Sequence, residues 1–65
     1  MMNEYMETLK DEIVNNFNVY GADRGLHENS SIILNWKEEN MITYEQYKEL
    51  RKFNRKVYSD LPLDM

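Results

Sequence analysis

The stretch ITYEQYKELRKFNRKVYSD, residues 42–60, decides the fold because it predicts a helix with a defined start and end. Thr43 and Gln46 have the spacing of a capping box, in which each side chain bonds the backbone amide of the other residue. Pro62 biases the residue before it toward an extended conformation and therefore stops the helix. We predict a helix over residues 43–60.

This helix has two faces of different character. Its apolar side chains recur at helical spacing along one side, and they are Tyr47, Leu50, Phe53, Val57 and Tyr58. Its basic side chains lie on the other side, and they are Lys48, Arg51, Lys52, Arg55 and Lys56. Asn54 falls inside the apolar arc, where an unpartnered amide costs about 1–3 kcal/mol. We expect Asn54 either to bond a loop carbonyl of the same chain or to pair with itself across a symmetric interface.

A first helix is predicted near the amino terminus. Apolar residues at steps of three and four, from Met2 to Tyr20, form the stripe of an amphipathic helix. Gly21 follows at the position where a left-handed residue commonly ends a helix. We predict this helix over residues 3–20 and a loop at GADRG, residues 21–25.

A second helix is predicted between these two. The residues that suit its N-cap are polar and short, namely Asn29, Ser30 and Ser31. Alternatively, Leu26 could belong to an earlier start of this helix. Ile33 and Trp36 share its apolar face, which predicts a helix over residues 30–40. A short strand at residues 32–34 is the alternative, and we reject it because no second strand is available to pair with its backbone.

These segments predict an all-α fold, a small three-helix bundle that forms a single domain over residues 1–65. So short a chain buries only about 60% of its unfolded surface, and it has no cysteine for disulfides. We therefore expect dense helix packing together with a homodimer. Residues 61–65 are predicted to form a short tail that folds back over the bundle. The predicted core consists of Leu9, Ile13, Phe17, Ile33, Trp36, Tyr47, Leu50, Phe53 and Val57.

Charge and composition limit the partners and the location. The net charge is −4, which weighs against general affinity for nucleic acid or anionic membranes. The acidity is uneven, because residues 1–29 hold six acids and two bases, whereas residues 30–65 hold six of each. There is no apolar run of about 18 residues and no signal-peptide pattern, so we expect a cytoplasmic protein without membrane contact. Abundant asparagine, lysine, isoleucine and tyrosine are associated with AT-rich genomes, and we expect a phage origin.

The residues that carry catalysis or bind metals are few. His27 is the sole histidine, and without cysteines or a second histidine it is a poor metal ligand. Ser30 and Ser31 are better explained as a helix cap than as nucleophiles. No glycine-rich phosphate loop is present. We predict no enzymatic activity, no cofactor and no metal.

The basic residues of the helix over 43–60 are the candidate binding surface. We expect a small interaction module that binds another protein and regulates or inhibits it, a larger host protein in the case of a phage. Arg51 and Arg55 suit bidentate pairs with carboxylates. The alternative is a dimeric helix-turn-helix regulator that places this helix in DNA, although Glu45 would bring negative charge toward the duplex. A third interpretation is that the basic residues only solvate the helix.

Overall fold

The computed structural model describes residues 4–61 and contains three helices. α1 spans Glu4–Tyr20, α2 spans Ala22–Glu38 and α3 spans Tyr44–Asp60. Every helix packs against the other two, and the described residues contain no strand. The predicted all-α three-helix bundle is confirmed, whereas the homodimer stays a prediction.

The predicted start of α3 is confirmed in detail. The Thr43 hydroxyl accepts a hydrogen bond from the Gln46 backbone amide at 3.1 Å. The Gln46 side chain in turn accepts one from the Thr43 backbone amide at 2.9 Å. This reciprocal pair is the capping box, and it satisfies amides that the first turn leaves without helical partners.

The predicted start of α2 is wrong, because the helix begins at Ala22 rather than at residue 30. Gly21 alone makes the turn, with φ 89° and ψ −179°, a region that is essentially restricted to glycine. Its carbonyl accepts the backbone amide of Gly25 at 2.9 Å, which is the first bond of the new helix. GADRG is therefore a one-residue turn followed by helix.

Gly25 lies inside α2 at the point where α1 passes very close, which leaves no room for a side chain. A Cβ atom at this position would lie 2.7 Å from Phe17 Cδ1 and 3.0 Å from Phe17 Cα. The second of these atoms belongs to the backbone, so a side-chain movement alone would not relieve the clash. The sequence prediction treated Gly25 as a helix breaker and therefore placed the start of α2 too late. In the structure this glycine lies inside α2 and allows α1 to pack closely against it.

The residues predicted to cap α2 instead lie within it. Asn29 is fully buried, and the Ser30 hydroxyl donates to the Leu26 carbonyl at 2.9 Å, back along the helix. Ser31 is exposed. None of these three residues lies at the N-cap of α2, because the helix has already begun after the Gly21 turn.

The carboxyl end of α2 is at Glu38, slightly before the predicted residue 40. Asn40 adopts a left-handed conformation with φ 61°. Its amide donates to the Lys37 carbonyl at 3.1 Å, and the Met41 amide donates to the Trp36 carbonyl at 2.8 Å. These two bonds form a Schellman motif, in which asparagine replaces the usual glycine.

The core confirms most of the predicted side chains. The buried apolar residues are Met6, Leu9, Ile13, Phe17, Ile33, Ile42 and Leu50. Partly buried residues packed against them are Leu26, Trp36, Tyr47, Phe53, Val57 and Leu61. Periodicity places Tyr58 on the apolar face of α3, yet 37% of its surface is exposed. The predicted tail begins with the packed Leu61, and the rest of it lies outside the described residues.

Candidate interaction surface

The five basic residues predicted to bind a partner all lie on the solvent side of α3. The inner side of the helix buries Leu50 and Asn54, so the basic side chains point away from the bundle. We call the exposed set the basic face, and it consists of Lys48, Arg51, Lys52, Arg55 and Lys56.

The basic face is only partly neutralised by neighbouring acids. The Lys48 ammonium lies 3.8 Å from Glu45, and the Lys56 ammonium lies 3.5 Å from Asp60. Exposed pairs of this kind contribute about 0–1 kcal/mol and exchange readily. Within residues 4–61, Lys52 and Arg55 form no ion pair. Their charges are available to an incoming group.

Glu49 has the helical spacing for an ion pair with Lys52, but it contacts a different cation. The Glu49 carboxylate instead pairs with Lys10 of α1 at 2.9 Å. The same ammonium lies 5.4 Å from the centre of the Phe53 ring. Glu49 therefore joins two helices, and its negative charge is drawn away from the basic face toward α1.

Two tyrosines at the start of α3 have cations against their rings. The rings of Tyr44 and Tyr47 stack with centroids 6.1 Å apart. The Lys48 ammonium lies 5.1 Å from the Tyr44 centroid. Lys37 of α2 and Arg51 of α3 lie 5.2 and 5.7 Å from the Tyr47 centroid. Cations at this range are attracted by the ring quadrupole, and we call these five residues the tyrosine–cation cluster.

Sequence reasoning missed part of this cluster. It assigns Tyr47 to the core and gives Lys37 and Tyr44 no role. The spacing of four residues between Tyr47 and Arg51 predicts their contact, because such residues are neighbours on a helix. The contact between Lys37 and Tyr47 could not be predicted from the sequence, since it depends on how α2 packs against α3.

The interior of the bundle contains a second polar feature, the amide cluster of Asn16, Asn29 and Asn54. Asn29 of α2 donates to the Ile13 carbonyl at 3.0 Å and to the Asn54 side-chain oxygen at 3.1 Å. Its own oxygen accepts from the Asn16 amide at 2.8 Å. Asn54 donates to the Leu26 carbonyl at 3.4 Å. One side chain from each helix is therefore held in a single hydrogen-bonded set.

Of the two alternatives for Asn54, the structure shows the one in which its amide bonds groups of the same chain. Its amide both accepts and donates within the chain, and only 2% of its surface is exposed. The accepting carbonyl belongs to α2 and not to a loop. Within residues 4–61, no buried side-chain nitrogen or oxygen lacks a hydrogen-bond partner. Self-pairing between copies is therefore not needed to satisfy this amide.

Near the Gly21 turn, Tyr58 of α3 reaches back to α2. Its hydroxyl donates to the Asp23 carboxylate at 2.9 Å. This hydrogen bond raises the pKa of Tyr58 above its ordinary value, because ionisation would lose the donor, and the nearby negative charge adds to the effect. The centre of the Phe17 ring lies 6.5 Å from the centre of the Tyr58 ring, so this phenol has one apolar and one acidic neighbour.

His27 lies on the exposed side of α2. It borders an open depression whose other lining residues are Asp23, Arg24, Leu26 and Glu28. Over residues 4–61, no three His, Cys, Asp or Glu residues gather closely enough to hold a metal ion. The absence of enzymatic activity, cofactor and metal stays a prediction.

Comparisons with known proteins identify no family. No protein-family model matches the chain, and searches of curated proteins and of solved structures found no match. Among the described residues, none of the three helices combines the length and the apolar content that a membrane span needs. The function must therefore be inferred from the chemistry of the surface.

Proposed function

We propose that this chain is a small interaction module that binds an acidic surface of another protein through the basic face and thereby regulates or inhibits that protein. The observation that carries the proposal is the unpaired state of Lys52 and Arg55 within residues 4–61. Their donors have no acidic acceptor in that part of the chain, so a partner's carboxylates would satisfy them.

The distribution of charge supports a protein partner over a polyanion. The exposed acids of α1 are Glu4, Glu7, Asp11 and Glu12. They give the molecule a negative side that a long nucleic acid would repel, whereas a compact acidic surface needs to meet only α3. Complementary charge of this kind speeds encounter and selects orientation more than it adds affinity.

The proposal also includes a homodimer, a cytoplasmic location and a phage origin, as expected from the sequence. A chain of 65 residues has a small core, and association of two copies is a common way to stabilise such a chain. Analytical ultracentrifugation tests the dimer directly. A monomer at micromolar concentration would remove dimerisation from the proposal and leave the basic face unaffected.

The competing function is DNA binding by α2 and α3 as a helix-turn-helix. Tyr44 is 60% exposed at the amino end of α3, where a recognition helix contacts bases. Glu45, also exposed there, opposes it. The remaining basic residues lie in the middle and carboxyl half of the helix, where they suit phosphates better than bases.

The test is an affinity capture from host lysate, carried out with and without nuclease and read by mass spectrometry. Arg55→Glu should reduce capture of the partner, because it places a negative charge within the basic face. Arg24→Glu is the matched control, since this exposed arginine of α2 undergoes the same change of charge away from α3. Capture that disappears with nuclease favours the DNA-binding function, and equal loss in both variants shows that only net charge matters.

A further inference from the structure

The tyrosine–cation cluster differs from the rest of the basic face because two helices build it. Lys37 from α2 and Arg51 from α3 both lie against the ring of Tyr47. That ring is partly buried and packs on the apolar core. Two cations are thus held beside a ring whose own position is fixed by the bundle.

A cation held over a ring keeps its hydrogen-bond donors available. The guanidinium carbon of Arg51 lies 5.7 Å from the Tyr47 ring centre. A ring contact of this kind leaves guanidinium N–H groups free to bind a carboxylate in a bidentate manner. Within residues 4–61, neither Arg51 nor Lys37 forms an ion pair. Contact with the ring also restricts both side chains before binding, which lowers the entropy lost when a ligand arrives.

We infer that the tyrosine–cation cluster is the anchor of the interaction surface and that it binds a carboxylate-bearing segment of the partner protein. Lys37 and Arg51 take the carboxylates, and the exposed ring of Tyr44 covers the adjoining apolar part of that segment. Lys52, Arg55 and Lys56 form the outer part of the surface and steer the encounter. This inference rests on the proposed function and adds the site and the chemistry of the ligand.

Apolar surface beside the cations supports an anchor of this kind. Tyr44 is 60% exposed and Met41 is 45% exposed. The Tyr5 hydroxyl of α1 donates to the Met41 carbonyl at 2.9 Å, so this end of α1 adjoins the same surface. Tyrosine and arginine are the residue types enriched where a few side chains dominate binding.

An acidic protein segment fits the cluster better than single-stranded nucleic acid does. Stacking of successive bases needs several open ring faces, whereas Tyr47 is partly buried with Lys37 and Arg51 near its ring, so only Tyr44 offers an open face. Glu45 pairs with Lys48 of the cluster at 3.8 Å, and this exposed pair is weak. A carboxylate from a partner would displace it at little cost.

The experiment measures binding of short, fluorescently labelled poly-L-glutamate by anisotropy, with the full chain and matched variants. A short probe can contact α3 without extending to the exposed acids of α1. Arg51→Gln and Arg55→Gln remove the same charge from the same helix, but only the first loses a ring contact. We expect Arg51→Gln to weaken binding about tenfold and Arg55→Gln about threefold or less. Arg51→Lys keeps the charge and should lose most of the same affinity. Arg24→Gln, on α2 away from the basic face, should bind as the wild type does.

Lys37→Gln tests the contribution of the second helix and should weaken binding by a factor similar to that of Arg51→Gln. Poly-L-glutamine and oligothymidylate are the competing probes, and we expect neither to displace poly-L-glutamate efficiently. Thermal melts are the control for folding. We expect every variant to retain the fold, because none of the substituted side chains is buried.

Three results would overturn the inference. Equal weakening by Arg51→Gln and Arg55→Gln, with Arg51→Lys unaffected, would mean that the basic face acts as uniform charge, and the proposed function would stand. Failure to bind poly-L-glutamate would exclude carboxylates as the ligand of the cluster. Preferential binding of oligothymidylate would reject both the cluster's assigned ligand and the protein-binding function.

Discussion

The inner and outer sides of α3 make contacts of opposite kinds. On the inner side, Leu50 is fully buried, and Asn54 is bonded to α2 by two side-chain hydrogen bonds. On the outer side, Lys52 and Arg55 form no ion pair within residues 4–61. The inner contacts require one arrangement of the three helices, whereas no ion pair within those residues holds Lys52 or Arg55 in one position.

This difference separates stability from binding. A buried amide that loses its partner costs about 1–3 kcal/mol, whereas an exposed ion pair contributes about 0–1 kcal/mol. Changes on the inner side should therefore alter the free energy of unfolding, and changes on the outer side should alter affinity for a partner. The tyrosine–cation cluster connects the two, because Tyr47 packs on the core and also holds Arg51.

The largest effect on stability is expected from Asn29→Ala, which removes the α2 side chain that bonds Asn54 on the inner side of α3. Asn29 has hydrogen bonds to α1 and to Asn54 of α3. Its loss leaves a buried oxygen without a donor and opens a cavity between the helices. We expect the free energy of unfolding to fall by about 3 kcal/mol, measured by urea denaturation with circular dichroism.

Asn35→Ala is the matched control for this prediction. Asn35 occupies the same helix and has the same chemistry, but its side chain is exposed. Its replacement should change the free energy of unfolding by about 0.5 kcal/mol or less, in either direction. Equal destabilisation by Asn29→Ala and Asn35→Ala would show that the amide cluster adds nothing beyond helix propensity.

Sequence reasoning located the helices whose ends carry local signals. The capping box at Thr43 and the amphipathic stripe of α1 predicted two helices with nearly correct bounds. The start of α2 was missed because Gly25 and Asn29 look like loop residues in isolation. Their roles depend on contacts with α1 and α3, which no local pattern contains.

The candidate surface was predictable to the same limited degree. Periodicity placed the basic residues on one side of α3, and the structure places them exposed there. The partner of Glu49 and the position of Lys37 beside Tyr47 both depend on helix packing. The sequence therefore predicted the basic side of α3 but not the tyrosine–cation cluster beside it.

The next effect in size is expected from Gly25→Ala, which tests how closely α1 and α2 must approach. In an exposed helix this change would stabilise the chain by about 1 kcal/mol. Here the added methyl group would meet the Phe17 backbone at 3.0 Å, and overpacking of this kind costs about 1–3 kcal/mol. We expect net destabilisation of about 1–2 kcal/mol in urea denaturation.

The double variant Gly25→Ala with Phe17→Val sharpens this result. Valine has no Cδ atom, so it removes the atom that would lie 2.7 Å from the added methyl group, but the backbone of residue 17 would still lie 3.0 Å from it. The two destabilising effects should be less than additive, because part of the clash disappears. A stabilised Gly25→Ala variant would instead mean that the two helices separate without cost.

A smaller change in stability is expected from the double variant Arg51→Glu and Arg55→Glu, on the outer side of α3. Neither arginine forms an ion pair within residues 4–61, and the ring contact of Arg51 is exposed. The free energy of unfolding should fall by about 1 kcal/mol or less, while binding of the protein partner is abolished. Unfolding of this variant would show that the basic face is structural.

The smallest effect concerns pH and the bond between Tyr58 and Asp23, which lies at the edge between inner and outer sides. The hydrogen bond raises the pKa of Tyr58 in the folded chain above the unfolded value of about 10. The folded state therefore holds the phenol proton more tightly. Its contribution to stability is complete below pH of about 10 and is lost as the pH rises through the raised folded pKa.

Asp23→Asn should lower the pKa of Tyr58 toward its ordinary value, because it removes the negative charge and weakens the acceptor. Tyrosinate absorbance, compared with that of Tyr58→Phe to isolate this phenol, measures the shift. The stability advantage of the wild type over Asp23→Asn should be present at neutral pH and disappear above the raised pKa. An unchanged Tyr58 titration in Asp23→Asn would mean that the phenol and the carboxylate separate in solution and that the outer edge of α3 makes no lasting contact with α2 there.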